Sequence, residues 1–279
     1  MHCIFCKQKS DQSKSVEHVI PESLGNKTII LSPGIVCDEC NNYFAVKVEK
    51  PLLEQLYFQH VRFNNFIPSK KKKIPKIKGV MGGEVKLERK LDGSSHIIIE
   101  DEQIAEKISK GIINSMIVIK LDQPESENRM LSRFLAKAAL ETLCLQTGGD
   151  SSLISEIVNS TELDPIRNYA RYGIGGFWNY HQRKLYDESD RFVNPIHAKE
   201  PYEILHELDC IWLAKEKLYF VLMLMGIEYV IDFDGPDISS YISWLEKNDN
   251  MAPMELFDDR KVIKGDPNNN WKMRYDNLD

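Results

Sequence analysis

Apolar and polar positions change period several times along this chain, and each change marks an element. The helical spacing of Phe44 and Val48 predicts a short helix over 41–49, beginning at Asn41. Pro51 should end or restart it, since the residue before a proline avoids the helical region. A second helix over 51–60 follows, with Leu52, Leu53, Leu56 and Tyr57 as its apolar positions. Four consecutive lysines, Lys70 to Lys73, then Ile74-Pro75-Lys76, read as a charged, proline-marked linker. Beyond it, segments 76–80, 84–89 and 96–100 predict strands, the last two joined by a turn at Asp92-Gly93. The strongest helical signal runs from Asn128 to Gln146, with Leu131, Phe134, Leu135, Ala138, Ala139 and Leu143 as its stripe and Gly148-Gly149 at its end. Two shorter helices are expected over 152–159 and 165–172, and the glycines at 173, 175 and 176 read as a cap and turn after the second. Segments 202–214, 218–225 and 228–233 suggest an antiparallel meander, and 238–247 a closing helix. The polar tail after Asp258 is expected to be loosely held.

Composition narrows the class without changing these elements. The chain has 279 residues, 42% hydrophobic and 28% charged, which is ordinary for a soluble globular protein and long enough for two domains. The longest apolar run, Tyr219 to Ile231, is too short to span a bilayer and contains Glu228, so no membrane association is expected. The formal net charge of −6 conceals an asymmetry. Residues 1–80 carry 13 Lys+Arg and 7 Asp+Glu, a formal +6, and the remainder carries 23 basic and 35 acidic residues, a formal −12. A basic head on an acidic body directs any polyanion to the N-terminal part.

Chemistry concentrates in that head. Cys3-Ile4-Phe5-Cys6 and Cys37-Asp38-Glu39-Cys40 are two CxxC pairs, and two such knuckles fit one tetrahedral zinc. Four thiolates leave no open coordination position, so this zinc should be structural, making a loop-rich segment foldable. With a cysteine of metal-ligand spacing at position 3, no secretory leader is expected, and a reducing cytoplasm is the expected location. The other two cysteines, Cys144 and Cys210, sit in apolar surroundings and read as inert buried thiols. Between the pairs lies Glu17-His18-Val19-Ile20-Pro21, and Asn41 directly follows Cys40. A neutral His18 can take a proton from water, while Glu17 and Asn41 offer hard oxygen donors that suit Mg²⁺ or Mn²⁺. Adjacent residues of an extended strand face opposite sides, so Glu17 and His18 can serve different partners.

Together these pieces resemble the HNH endonucleases, the ββα-metal nucleases, in their zinc-bearing form: C-x-x-C, an acidic residue followed by His and I-x-P, then C-x-x-C-N. The resemblance covers roughly residues 1–60. It implies a hairpin carrying Glu17-His18 packed against a short helix beginning at Asn41. It also implies His18 as general base and Glu17 with Asn41 holding one divalent metal against the scissile phosphate. This chain departs from the pattern in having Glu rather than the frequent Asp at position 17, and Phe44 where a basic residue or His often stands. The family's middle Asn usually lies shortly before the second cysteine pair, and Asn26 is the only candidate here, as a supporting residue. Glu49 lies two helical turns beyond Asn41, a rise of about 12 Å, so it is not expected to share that ion.

The expected fold is therefore α+β: a zinc-stapled ββα-metal module over 1–68, a basic linker over 69–80, and a larger mixed domain over 81–279 with an antiparallel meander. The expected function is metal-dependent hydrolysis of DNA, with zinc as structural and Mg²⁺ or Mn²⁺ as catalytic cofactor. The alternatives are a non-catalytic zinc-knuckle module that binds nucleic acid or protein, and a ribonuclease using the same site. Lys70, Lys71, Lys72 and Lys73 are candidate phosphate contacts, with a solvated linker as the other reading. Arg167 and Arg171 share one helix face, where they bind an anion or, as such residues more often do, pair with carboxylates. One site cuts one strand, so residues 81–279 are expected to make a homodimer, with restraint of the nuclease as a second role open to them. A setting in bacterial genome defence is analogy only.

Overall fold

The computed structural model describes residues 1–118, 121, 123–187, 190–194, 198–213, 217–255 and 261–264. In the cysteine-bearing segment the elements are brief. Strands β1 (Glu17–His18) and β2 (Ile30–Leu31) pair antiparallel, with Glu17 opposite Leu31 and His18 opposite Ile30. Helix α1 (Asp38–Phe44) starts earlier than the apolar spacing suggests, because Cys37 is its N-cap and accepts the Cys40 N–H at 3.4 Å. A wider π-type turn at Ala45–Glu49 precedes α2 (Lys50–Leu53), which contains Pro51. Proline cannot return an N–H to the preceding turn, and such a break is absorbed by local widening. Next come α3 (Leu56–Asn64) and the strands β3 (Ile77–Val80), β4 (Glu84–Arg89) and β5 (Ser95–Ile98), an antiparallel sheet in chain order. Helix α4 (Glu102–Ser109), capped by Asp101, has no counterpart among the expected elements.

Helix α5 (Arg129–Gln146) is the longest helix described, and Asn128 caps it by accepting the Leu131 N–H at 3.1 Å. Helices α6 (Ser151–Asn159) and α7 (Asp164–Tyr172) follow, and Gly173, with φ +66°, closes α7 in the left-handed region. Strands β6 (His181–Lys184), β7 (Arg191–Asn194), β8 (Ala198–Tyr202), β9 (His206–Leu213), β10 (Lys217–Leu224) and β11 (Ile227–Asp232) come next. They are followed by α8 (Ser239–Lys247) and β12 (Lys261–Ile263). The expected meander is present as β9-β10-β11, with β6 added beside β11. Tyr202 belongs to β8 rather than to the meander, and residue 214 lies outside the described residues. Of the tail expected to be loose, Lys261–Ile263 instead pairs with β7, and residues 265–279 lie outside the described residues.

The fold is thus mixed α+β with antiparallel sheets, and its residues group into two units. One comprises Met1–Ile20, Lys27–Glu49 and the chain from Glu125; the other comprises Pro21–Asn26 and Lys50–Pro124. In the first unit α5 packs on β9, β10, β11 and α7, and also on β2 and the π-type turn. Leu131, Phe134, Leu135, Ala138, Ala139 and Leu140 are sealed from solvent there, and each large side chain so buried contributes about 1.5–3 kcal/mol. Tyr219, Val221 and Val230 of the meander close on Tyr241 and Leu245 of α8. Cys144 is buried, and burial pushes its thiol up to about 12; Cys210 is half-buried with its Sγ 3.8 Å from the Ala139 carbonyl oxygen. In the second unit Phe63, Ile74 and Ile77 pack together, with the Arg89 guanidinium 4.5 Å over the Phe63 ring.

Candidate metal centre and nuclease site

The first knuckle is a tight turn: Cys3 N–H donates to the Gln8 carbonyl and Lys7 N–H to the Cys3 carbonyl, both at 2.9 Å. Lys7 takes a left-handed conformation, φ +58°, which a non-glycine residue adopts at a cost. The second knuckle is the N-terminus of α1, which sets Cys37 at the cap and Cys40 in the first turn. These turns bring the four Sγ atoms of Cys3, Cys6, Cys37 and Cys40 within 4.8 Å of one another, and Cys6 Sγ lies 3.6 Å from Cys37 Sγ. Tetrahedral Zn–S bonds of about 2.3 Å require sulfur separations near ~3.8 Å, so the cluster fits zinc. Its own electrostatics point the same way. Hydrogen bonding with Cys40 draws the Cys3 thiol down to about 5, while the same partnership and burial push Cys40 up. Four crowded thiols cannot all ionise without a cation among them.

Glu17, His18 and Asn41 are assembled beside this staple. Asn41 Nδ2 donates to the Val16 carbonyl at 3.2 Å, fastening α1 to the residue before Glu17. Asp38, at the start of α1, accepts the Lys14 and Ser15 N–H groups and the Ser15 hydroxyl, which tethers the approach to β1. These hydrogen bonds hold its carboxyl below the usual range. Phe5 and Phe44, both buried, meet edge to face at 4.5 Å beneath the knuckles. As expected for neighbours on a strand, Glu17 is buried and His18 half-exposed. A carboxylate and an amide oxygen tied to one stretch of backbone are hard donors of the kind that Mg²⁺ or Mn²⁺ requires. Asn26 is fully buried at the end of the segment that follows the Glu22–Leu24 turn.

The unanticipated residue is Lys137. Its ammonium, wholly buried on α5, lies 2.7 Å from Glu17 Oε1, 2.9 Å from Glu49 Oε1 and 3.1 Å from Glu141 Oε2, and it donates to the His18 carbonyl at 3.1 Å. Burial alone would push such an ammonium down, but Glu141, Glu17 and Glu49 outweigh it and hold it well above an ordinary lysine. Burial likewise pushes the Glu141 carboxyl up against the pull of Lys137. Removing one partner of a buried ion pair typically costs about 3–5 kcal/mol. Glu49 is thus brought close to Glu17 by a side chain from another helix that bridges the two. Its rise along its own helix from Asn41 has no bearing on that approach.

Helix α7 reaches the knuckles in the same way. Arg171 Nε donates to Cys40 Sγ at 3.3 Å, its guanidinium lies 3.6 Å from the Tyr43 ring centre, and Nη2 lies 3.5 Å from Glu39. Arg167 Nε donates to the Ile4 carbonyl at 2.6 Å and also pairs with Asp164, which holds Lys7 at 2.6 Å. The carboxylate partners expected for these arginines exist, but each also grips a cysteine knuckle. Within the expected linker the four lysines lie in a turn: Lys72 N–H donates to the Ser69 carbonyl at 2.8 Å and Ser69 N–H to the Lys73 carbonyl at 2.9 Å. All four side chains are exposed, and Lys70 lies 3.8 Å from Glu22.

Residues 3–57 match the family model described as HNH endonuclease. No curated protein and no solved structure matches the chain. The matched segment contains both cysteine pairs, Glu17-His18 and Asn41, so the resemblance read from the motif holds for this part of the chain. It implies nuclease activity and a nucleic-acid partner. Lys137, Glu141, Arg167 and Arg171 lie outside it. No helix among the described residues is long and apolar enough to cross a membrane.

Proposed function

We propose that the protein is a metal-dependent endonuclease that hydrolyses DNA phosphodiester bonds, nicking one strand per active site. The observation that carries the reading is the Glu17-His18 strand, fastened through Val16 to Asn41 and stapled by the four-cysteine cluster within an HNH-matching segment. In this reading His18 takes a proton from the attacking water at its imidazole nitrogen. Glu17 and Asn41 hold Mg²⁺ or Mn²⁺, which when bound polarises the scissile phosphate and stabilises the departing 3′ oxygen. The zinc takes no part in the chemistry; it sets where Asn41 stands. Residues 1–68 act as the nuclease module, with Asn26 in support, and the exposed lysines of 70–73 neutralise flanking phosphates.

The acidic part of the chain, 81–279, would repel DNA by its charge and is assigned to homodimerisation, since a double-strand break by single-nick sites takes either two protomers or a second encounter. Zinc-type cysteine pairs, which suit a reducing compartment, support a cytoplasmic location. Incubating the intact protein with plasmid, single-stranded DNA and RNA, in Mg²⁺, Mn²⁺ or EDTA, tests the central reading. Relaxed plasmid appearing only with divalent metal supports it. Cleavage confined to RNA makes the protein a ribonuclease, and binding without cleavage makes it a zinc-knuckle binding module. Light scattering on the full chain tests the dimer.

A further inference from the structure

We propose that Lys137 is a positioning residue of the nuclease site, supplied by a helix far outside the segment that matches the nuclease family. The inference rests on the reading of Glu17 and His18 given above and deepens it.

Three features carry it. First, the ammonium contacts both halves of the functional dipeptide, the Glu17 carboxylate at 2.7 Å and the His18 backbone carbonyl at 3.1 Å. A side chain that only balanced charge would have no reason to reach the carbonyl. Second, β1 is only two residues long: its ladder is the pairing with β2, continued by the Val19 N–H to the Ile29 carbonyl at 3.2 Å. So short a hairpin is marginal alone. Third, the lysine is itself immobilised. Its side chain is sealed from solvent, Glu141 grips it one helical turn along at 3.1 Å, and Glu49 holds it from the π-type turn at 2.9 Å. Helix α5 is in turn packed on the meander. Lys137 therefore transmits the rigidity of the sheet to the Glu17-His18 strand. A general base works only when its nitrogen stands within hydrogen-bond reach of the water, and a displacement of about 1 Å can cost on the order of 10²-fold in rate.

Lys137→Met alone strands three carboxylates and is liable to unfold. The informative variant is Lys137→Met/Glu141→Met, which removes both members of the i,i+4 pair on α5. Two measurements are made on intact wild-type and doubly substituted protein. Steady-state plasmid nicking at saturating Mn²⁺ should show kcat lower by about 10²-fold with KM for DNA little changed. The protein should keep its zinc and a native circular dichroism spectrum at the assay temperature, with a melting temperature lowered by the two carboxylates, Glu17 and Glu49, that lose their cation. Amide hydrogen exchange should quicken at least tenfold over residues 17–20 and stay unchanged over both cysteine knuckles. If wild type cuts no nucleic acid, the nuclease reading fails, and the exchange measurement still decides whether Lys137 holds this strand. Wild-type kcat in the folded double variant overturns the proposal. So does unchanged exchange over 17–20, and so does faster nicking, which would mean that the ammonium competes with the metal for Glu17.

Discussion

Arg171 Nε points its N–H at Cys40 Sγ, 3.3 Å away, and its guanidinium is stacked on Tyr43 two residues beyond Asn41. A zinc bound by four thiolates carries a net double negative charge, and this buried cation offsets part of it where solvent cannot. Outer-shell partners of this kind commonly affect metal affinity by about 10–100-fold. Arg171→Gln should therefore release zinc to a chelating dye at least tenfold faster than wild type, with Arg171→Lys between them. Equal release rates in folded proteins would leave Arg171 with a packing role only.

Substitution at the base and at the staple should separate cleanly. His18→Ala should lower cleavage by about 10²–10⁴-fold while zinc stays bound, because the imidazole is no part of the cysteine cluster. Cys37→Ser should lose zinc and loosen the cysteine-bearing segment, since metal binding and folding are coupled there. Metal analysis and circular dichroism beside the nicking assay distinguish the two. An active His18→Ala protein would remove that residue from the chemistry.

The lysine turn makes a salt-dependent prediction. Neutralising Lys70–Lys73 to Gln should weaken binding to all sequences alike. It should also flatten the slope of log affinity against log salt by about 0.9 for every phosphate that these lysines neutralise. Fluorescence anisotropy with two unrelated duplexes across a salt series measures both. An unchanged slope returns the four lysines to solvent.

His181 makes the fold sensitive to mild acid. Burial, aided by the neighbouring Arg183, lowers its imidazole to about 4. Glu228 lies 3.9 Å from Nε2 and by itself would favour the charged ring. However, Arg183 Nε already engages that carboxylate at 2.8 Å and the Tyr241 hydroxyl donates to it at 3.0 Å, so burial decides. The folded state thus refuses a proton that the unfolded chain binds near pH 6.5. The stabilisation is complete above that pH and is lost as pH falls from 6.5 towards 4, by at most about 3 kcal/mol. Urea unfolding of wild type and His181→Gln across this window should show the steeper decline in wild type. Parallel curves would contradict the assignment.

Legibility in the sequence followed the range of the interaction. The knuckles, the Glu17-His18 dipeptide and the Asn after the last cysteine are local patterns, each written within a few consecutive positions. The meander was readable because Tyr219, Val221 and Val230 recur at strand spacing within long apolar runs. Strands β6 and β7 were not, since His181–Lys184 and Arg191–Asn194 are short, largely polar and only partly buried. Lys137, and the contact of Arg171 with Cys40, were invisible for a different reason: their partners lie far back in the chain, and no local period encodes that distance. One signal for Lys137 does exist in the sequence. Arg133, Lys137 and Glu141 recur every four residues inside the helix with the strongest apolar stripe, and a buried charged row in such a helix must meet charge elsewhere.

The grip of α5 and α7 on the N-terminal motif also orders events in time. A ribosome delivers the cysteine pairs and Glu17-His18 first and reaches Lys137 on the order of ten seconds later, at about 5–20 residues per second. During that interval the nascent chain carries the cysteine knuckles and the proposed catalytic residues without the ammonium and guanidinium groups that contact them. On the proposed reading, the site is complete only once α5 and α7 have been made and have folded back onto the first residues of the chain.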